Sequence, residues 1–344
     1  MRSVGTLLLF VACLASASAA AAQNPHLIVY EGERGPGHGK HLVFLAGDHE
    51  YRSEETLPAL ARILAKHYGF RCSVFVTTDP KTGVIEPGSS HISGLEALKS
   101  ADLMVVFLRF QDFPDDQMQH IADYLNRGGP VVGFRTATHA FQIKRADAKF
   151  RKYTWRDGDD TYAGGFGRQV LGETWVSHYG KNHAQSSRLI LQPEESNHPI
   201  LRGVKDVWAQ SGGYTAAPIE GSKVLAVGRI LDGMTPDSPP AKDKQEMPVA
   251  WYRDYRTPSG KSGRVFTTTH GASEDLLNEG FRRMAINGIL WAAGLDASIR
   301  PTSDISFVGP FQPTTYGFGT YIKGVRPADL AGWESPIMPK RDGK

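Results

Sequence analysis

Apolar runs of five to nine residues recur along the first half of the chain, separated by stretches with a helical period. Residues 40–47 (KHLVFLAG), 71–78 (RCSVFVTT), 102–110 (DLMVVFLRF) and 130–134 (PVVGF) are too short and too uniformly apolar for surface helices, and they read as buried strands. Between the first two, Leu57, Leu60, Ala61 and Leu64 fall at i, i+3, i+4 and i+7, with Gly69 as the stop; Pro58 suits this helix if its first turn begins near Thr56. A short helix is expected at 94–100. Another starts at Asp115 and Asp116, buries Met118, Ile121, Ala122 and Leu125, and ends at Gly128. Further strands are expected at 188–192, 224–230, 248–252 and 265–270. The helix after them presents Phe281, Met284, Ala285, Gly288 and Ala292 on one face and stops at Gly294. Strand and helix alternating through short connections predict an α/β fold with a mostly parallel sheet covered on both faces.

Three stretches break the pattern. Residues 1–22 carry Arg2, an apolar run over 4–14 and Ala20-Ala21-Ala22 before Gln23, the pattern of a bacterial secretory signal peptide; periplasmic or secreted localisation is expected. Phe10 and the apolar residues after Cys13 fit a lipidated cysteine poorly. Residues 142–185 turn basic, then rich in Gly and Asp, and read as an insertion or lid within a main domain spanning 23–297. Residues 298–344 are rich in Pro, Gly and aromatics and read as an extended arm packed on that domain, with walling of the ligand crevice as the alternative.

Composition narrows the classes. The chain has 39 Lys and Arg against 36 Asp and Glu, a charge of +3 that drops to +2 without Arg2, too balanced to argue for nucleic acid as a partner. No stretch reaches the ~20 apolar residues of a membrane span. The expected partner is a small molecule, and a homo-oligomer is compatible with the sequence. Beyond residue 22 only Cys72 remains, which excludes an intramolecular disulfide, and its place within a strand marks it as a small buried hydrophobe.

In open α/β sheets ligands bind beyond the carboxyl ends of the strands. Residues there include His49 and Glu50 after the first strand, Arg109 and Gln111 after the third, Arg135, Thr136 and His139 after the fourth, and His270 after the last. His178 and His183 join them if the insertion folds over, whereas His198 before Pro199 reads as structural. His49, Glu50, Arg135 and His270 form the expected catalytic set; Arg109, Gln111, Thr136, His139 and His178 form the substrate-binding set. Histidine and a buried glutamate can exchange protons near neutral pH, and an arginine can stabilise a developing oxyanion. No cofactor is called for. A divalent metal such as zinc is the rival, but no HxH, HExxH or CxxC pattern is present, so its ligands would have to converge from separate loops.

The segments AGDHEYRSEE, VVGFRTATHAF, NHPILRGV, MPVAWYRDY and GRVFTTTHGASEDLLNEGFRRMAINGILWAAGL, in this order, resemble the ThuA-like (trehalose utilisation) family and, more distantly, the class I glutamine amidotransferase-like superfamily. YGFGTYIKGVRP resembles a tail of secreted members. The resemblance implies a flavodoxin-like, doubly wound fold and a role in carbohydrate utilisation. The superfamily's nucleophilic cysteine aligns with Arg135, where many ThuA-like sequences have histidine; an arginine stays protonated and cannot attack, so thiol chemistry is excluded there. His270 resembles the superfamily's catalytic histidine. ThuA-type proteins are associated with oxidoreductases that make 3-keto-sugars, which points to isomerisation, elimination or hydrolysis of a sugar or 3-keto-sugar. The alternative is a non-catalytic carbohydrate-binding or accessory protein in which aromatics such as Trp155, Tyr162, Trp175, Tyr179 and those of the tail, Phe307, Phe311, Tyr316, Phe318, Tyr321 and Trp333, stack on sugar rings.

Overall fold

The computed structural model describes residues 24–156 and 161–338; the expected signal peptide and the end of the arm beyond 338 lie outside the described residues. In chain order the strands are β1 (Leu27–Glu31), β2 (His41–Gly47), β3 (Arg71–Val76), β4 (Leu103–Leu108), β5 (Val131–Phe134), β6 (His178–Tyr179), β7 (Ser186–Leu191), β8 (Trp208–Ala209), β9 (Gly213–Tyr214), β10 (Lys223–Leu231), β11 (Met247–Arg256) and β12 (Ser262–Thr268). The α-helices are α1 (Ser53–Tyr68), α2 (Asp115–Asn126) and α3 (Glu279–Ala292). Ten strands form one sheet in the order β1-β3-β2-β4-β5-β12-β11-β10-β7-β8, and β6 pairs with β9 apart from it. The parallel centre is β3-β2-β4-β5-β12; β1 on one side and β11, β10, β7 and β8 on the other each pair antiparallel with their neighbour. β1 carries no run long enough to stand out in the sequence and exists because it pairs with the edge of β3.

Alternate residues of each central strand face opposite cores. Phe44, Val74, Val105, Val132 and Phe266 pack with α1 and α3, and Val43, Leu45, Met104, Val106, Val131 and Val265 with α2 and the short 3-10 turn at Leu95–Ser100. Against α3 the contact is close: a Cβ on Gly288 would stand 2.2 Å from the Phe266 ring. Gly288→Ala therefore gains the ~0.5–1 kcal/mol of helix propensity but loses more through overpacking, typically about 1–3 kcal/mol. A lower urea midpoint with an unchanged m-value is the expected result.

Helix α1 departs from expectation twice. It begins at Ser53 rather than near Thr56, so Pro58 lies inside it. It is also buried almost all round, Glu54 and Glu55 included, because the arm covers the side that would otherwise face water. Tyr30 and Arg62 donate to Leu330 O (2.7 and 3.0 Å), Tyr68 to Asp304 O (2.8 Å), and Ile85 N to Val325 O (2.7 Å). Glu55 Oε2 accepts from Thr314 N at 2.8 Å, and its other oxygen accepts from the Thr314 hydroxyl.

Burial, with Glu54 beside it, pushes the Glu55 pKa up to about 8. An acid whose pKa is higher folded than unfolded gives stability that is complete below the ordinary glutamate value and is lost as pH rises through the folded one. Glu55→Gln keeps an acceptor and a donor for Thr314 and removes the titration. The variant's unfolding free energy is expected to fall less between about pH 5 and about pH 8 than that of the unmodified chain, since Glu54, pushed up to about 7 by burial, still titrates in it. Urea titrations at a series of pH values test this, and parallel profiles would contradict it.

Candidate functional site

The loops at the carboxyl ends of β2, β4, β5 and β12 meet, and their backbone is strained where they do. Arg52 (φ 66°), Phe110 (φ 52°) and Arg135 (φ 42°) adopt the left-handed region, which is unfavourable for side chains of this size and concentrates where geometry serves a site. Asp48 makes the first turn: its Oδ1 accepts from the amide nitrogens of Glu50 (2.8 Å) and Tyr51, and its own N–H donates to Ser53 Oγ (2.9 Å). Gln111 fastens this turn to the next strand. Its Nε2 donates to Gly47 O (2.6 Å), Pro87 O (3.0 Å) and Arg109 O (3.2 Å), and its Oε1 accepts from Ser90 (2.9 Å). Expected as a substrate contact, it is spent on holding the loops.

Above that turn lies a charged cluster. Arg109 extends Nη1 to His49 Nε2 (2.7 Å) and Nη2 toward Glu50 Oε2 (3.4 Å). A guanidinium only donates, so His49 Nε2 accepts and the ring proton sits on Nδ1. Burial and the Arg109 charge hold the His49 pKa below its ordinary value, which agrees with a neutral ring. His49, expected as a base, therefore has that lone pair engaged. Glu50, only 4% exposed, has its pKa raised, by burial first and against the pull of Arg109 and Arg135. Within the protein Glu50 Oε2, Arg109 Nε and His49 Nδ1 make no hydrogen bond.

Tyr51 joins this cluster to a deeper one. Asn182 Nδ2 donates to Glu50 Oε1 (3.2 Å) and to the Tyr51 hydroxyl (2.9 Å), so the Tyr51 proton is directed at His178 Nε2 (3.0 Å). Much of the His178 ring meets solvent, but desolvation of the ring, together with Arg135 and Arg109, pushes its pKa down to about 4. Beneath Tyr51 lies the fully buried Arg135, its guanidinium 3.6 Å from the Tyr51 ring centroid and 4.9 Å from that of Tyr214. Its Nη1 reaches Gly212 O (2.7 Å), Thr269 O (2.8 Å) and Ser211 Oγ (3.2 Å).

Ser211 Oγ donates to Asp275 Oδ2 (2.7 Å) and so accepts from His270 Nδ1 (3.1 Å), which leaves the Nε2 of this buried histidine as the free acceptor. Burial holds His270 and His139 neutral. His139 bonds the Thr138 hydroxyl (3.2 Å) and packs among Phe110, Trp155, Trp175 and Tyr214; Thr136 is buried nearby. The expected residues thus fall into two layers, His49, Glu50, Arg109 and His178 above, and Arg135, Thr136, His139 and His270 below. His183 stacks on Tyr316 of the arm, and His198 accepts from Ile200 N in the turn at Pro199–Leu201.

Tyr51, Asn182, Ser211, Tyr214 and Asp275 were not identified from sequence, whereas Phe318 was expected only as one of the arm's aromatics. Tyr51 lies in the expected loop and Asp275 in the quoted segment after β12, and both could have been found there; Asn182, Ser211 and Tyr214 come from distant segments with no motif of their own. Among the described residues no group of three or more His, Cys, Asp or Glu side chains is arranged to hold a metal ion.

A parallel sheet centre with its polar cluster beyond the strand ends defines an open-sheet α/β protein with a crevice site. Within that class the chain belongs to the ThuA family, whose model, described as trehalose utilisation, matches residues 40–292. Similar solved structures include proteins described as ThuA-like from Parabacteroides merdae (16% identity, TM-score 0.42, covering 82% of this chain and 97% of that one) and Bacteroides uniformis (16%, 0.45, 78% and 96%). No curated protein matches the chain.

The hydrogen-bond directions around His49 can be tested. Replacing Arg109 by Met removes both the donor and the opposing charge, so the His49 pKa is expected to move up toward its ordinary value without reaching it, since burial remains. Imidazole nitrogen NMR on the unmodified chain is expected to show the proton on Nδ1; a proton on Nε2 would contradict the arrangement.

Proposed function

We propose that this ThuA-family chain is an exported enzyme of carbohydrate utilisation that performs acid/base chemistry on a sugar or 3-keto-sugar without a thiol nucleophile. The observation that carries this reading is the setting of Glu50: a nearly buried carboxyl with a raised pKa, one oxygen held by Asn182 and the other free of hydrogen bonds beside a fixed guanidinium. Such a carboxylate can take a proton from the carbon next to a ketone, while Arg109 stabilises the negative charge that moves onto the ketone oxygen. Returning the proton to the former ketone carbon, with the neighbouring hydroxyl proton passed to the old ketone oxygen, moves the ketone to the adjacent carbon; expelling a β-substituent from the enediolate instead eliminates it. Tyr51, on turning its proton away from His178, can donate it to a departing oxygen. The leader-like pattern in residues 1–22 supports work in the periplasm or outside the cell.

The test is an NMR time course of the chain from Gln23 onward with methyl 3-keto-glucoside in deuterated buffer. Loss of the signal from the hydrogen next to the ketone is expected, and Glu50→Gln is expected to slow it by about 10²-fold or more. Tyr51→Phe is expected to impair elimination more than exchange. If the unmodified chain binds the sugar and no hydrogen exchanges, the carbohydrate-binding accessory reading replaces this one.

A further inference from the structure

The family match ends at residue 292, yet the arm beyond it reaches the polar cluster. Gly317 N donates to Glu50 O (2.6 Å), and Arg52 Nη2 and Thr320 Oγ1 both donate to Gly317 O (3.1 and 3.0 Å). Glu274 accepts from Tyr316 N (3.2 Å) and the Thr315 hydroxyl (3.3 Å) just before this point. Gly317 (φ 156°) and Gly319 (φ 70°) turn the chain on either side of Phe318. The ring between them lies 4.8 Å from the Arg109 guanidinium, whose centre is also 4.7 Å from Phe110, and 5.5 Å from the His49 ring.

Phe318 is nonetheless 60% exposed, in company among the described residues only with Val176 and Leu277 as exposed large hydrophobics. A ring that served only to plug the cluster would bury itself in doing so. This one is fastened by hydrogen bonds at the neighbouring backbone and keeps most of its surface in water over the cluster of Glu50, Arg109 and His49, in which the buried Glu50 Oε2, Arg109 Nε and His49 Nδ1 make no hydrogen bond. That combination, an apolar face next to a few fixed polar groups, is what a small-molecule site presents before it is filled.

We propose that Phe318 is the stacking face of the sugar subsite, so that the C-terminal arm supplies a specificity determinant to the site. This rests on the reading of the site given above. A pyranose ring has an apolar face of C–H groups, which suits the aromatic ring, and an edge of hydroxyls, which suits Glu50, Arg109 and His49. The arm would thus select neutral glycosides in pyranose form over acyclic or strongly charged compounds of similar size.

The experiment compares the unmodified chain with Phe318→Ala and Phe318→Trp in the exchange assay on methyl 3-keto-glucoside, with thermal midpoints measured alongside. Phe318→Ala is expected to raise KM about tenfold, leave kcat within about twofold and leave the midpoint unchanged, and Phe318→Trp to restore KM. An unchanged KM in Phe318→Ala would overturn the stacking role while the exchange activity stands. A lower KM would do the same and show the ring to be an obstruction. Absence of both binding and exchange in the unmodified chain would remove the sugar reading and this inference together.

Discussion

A guanidinium buried without a carboxylate in contact is the constraint around which the strand ends are arranged. Desolvating the Arg135 charge is costly, and the surrounding structure compensates with two aromatic faces, two carbonyl oxygens and a hydroxyl rather than with an anion. Those groups come from the loop after β2, the segment leading into β9 and the end of β12. Satisfying one side chain therefore fixes three loops relative to β5. The Tyr51 ring that rests on this cation directs its hydroxyl at His178 and receives Asn182, and Asn182 in turn holds Glu50. The polar cluster at the strand ends is thus built upward from a buried floor.

This arrangement gives the elbow after β5 a different purpose from the one its resemblance suggests. The superfamily places a reactive sulfur at that turn, whereas here the turn carries a side chain directed inward, held through Nη1 and by two aromatic faces. In the function proposed above, the reactive groups lie one layer higher, in Glu50 and Arg109, with Tyr51 as the connection. Asp275, through Ser211, fixes which nitrogen of His270 carries the proton, so even the buried layer holds its histidine in one defined form.

The central strands, their helices and the loops that meet at the crevice could be read from the sequence because each is a local pattern: an apolar run, a 3.6-residue period, a turn residue. Strand β1 could not be, since Leu27–Glu31 is defined by a partner more than forty residues away. The antiparallel pairing of β11, β10 and β7 likewise depends on partners rather than on composition. Glu50 and Arg109 were identified by position along the chain, but the roles of His49 and Gln111 were not, because a hydrogen-bond direction or a fully used amide depends on neighbours brought in from elsewhere. Asn182 is the clearest case, since nothing in its immediate sequence marks it and it acquires meaning only from the loop against which it is folded; Phe318 is marked only as one of several aromatics of the arm.

The cover over α1 also bears on the order in which the molecule can be completed. Arg62 and Leu330, joined by a hydrogen bond, are 268 residues apart in the chain, so α1 is made well before the segment that covers it. Until that segment emerges, the helix carries a second apolar side with no native partner and two glutamates without the surroundings that later enclose them. A domain whose parts arrive in this order keeps apolar surface open to chaperones in the meantime. The arm is thus a closing piece in folding, since the side of the sheet it covers is completed by contacts of high sequence separation.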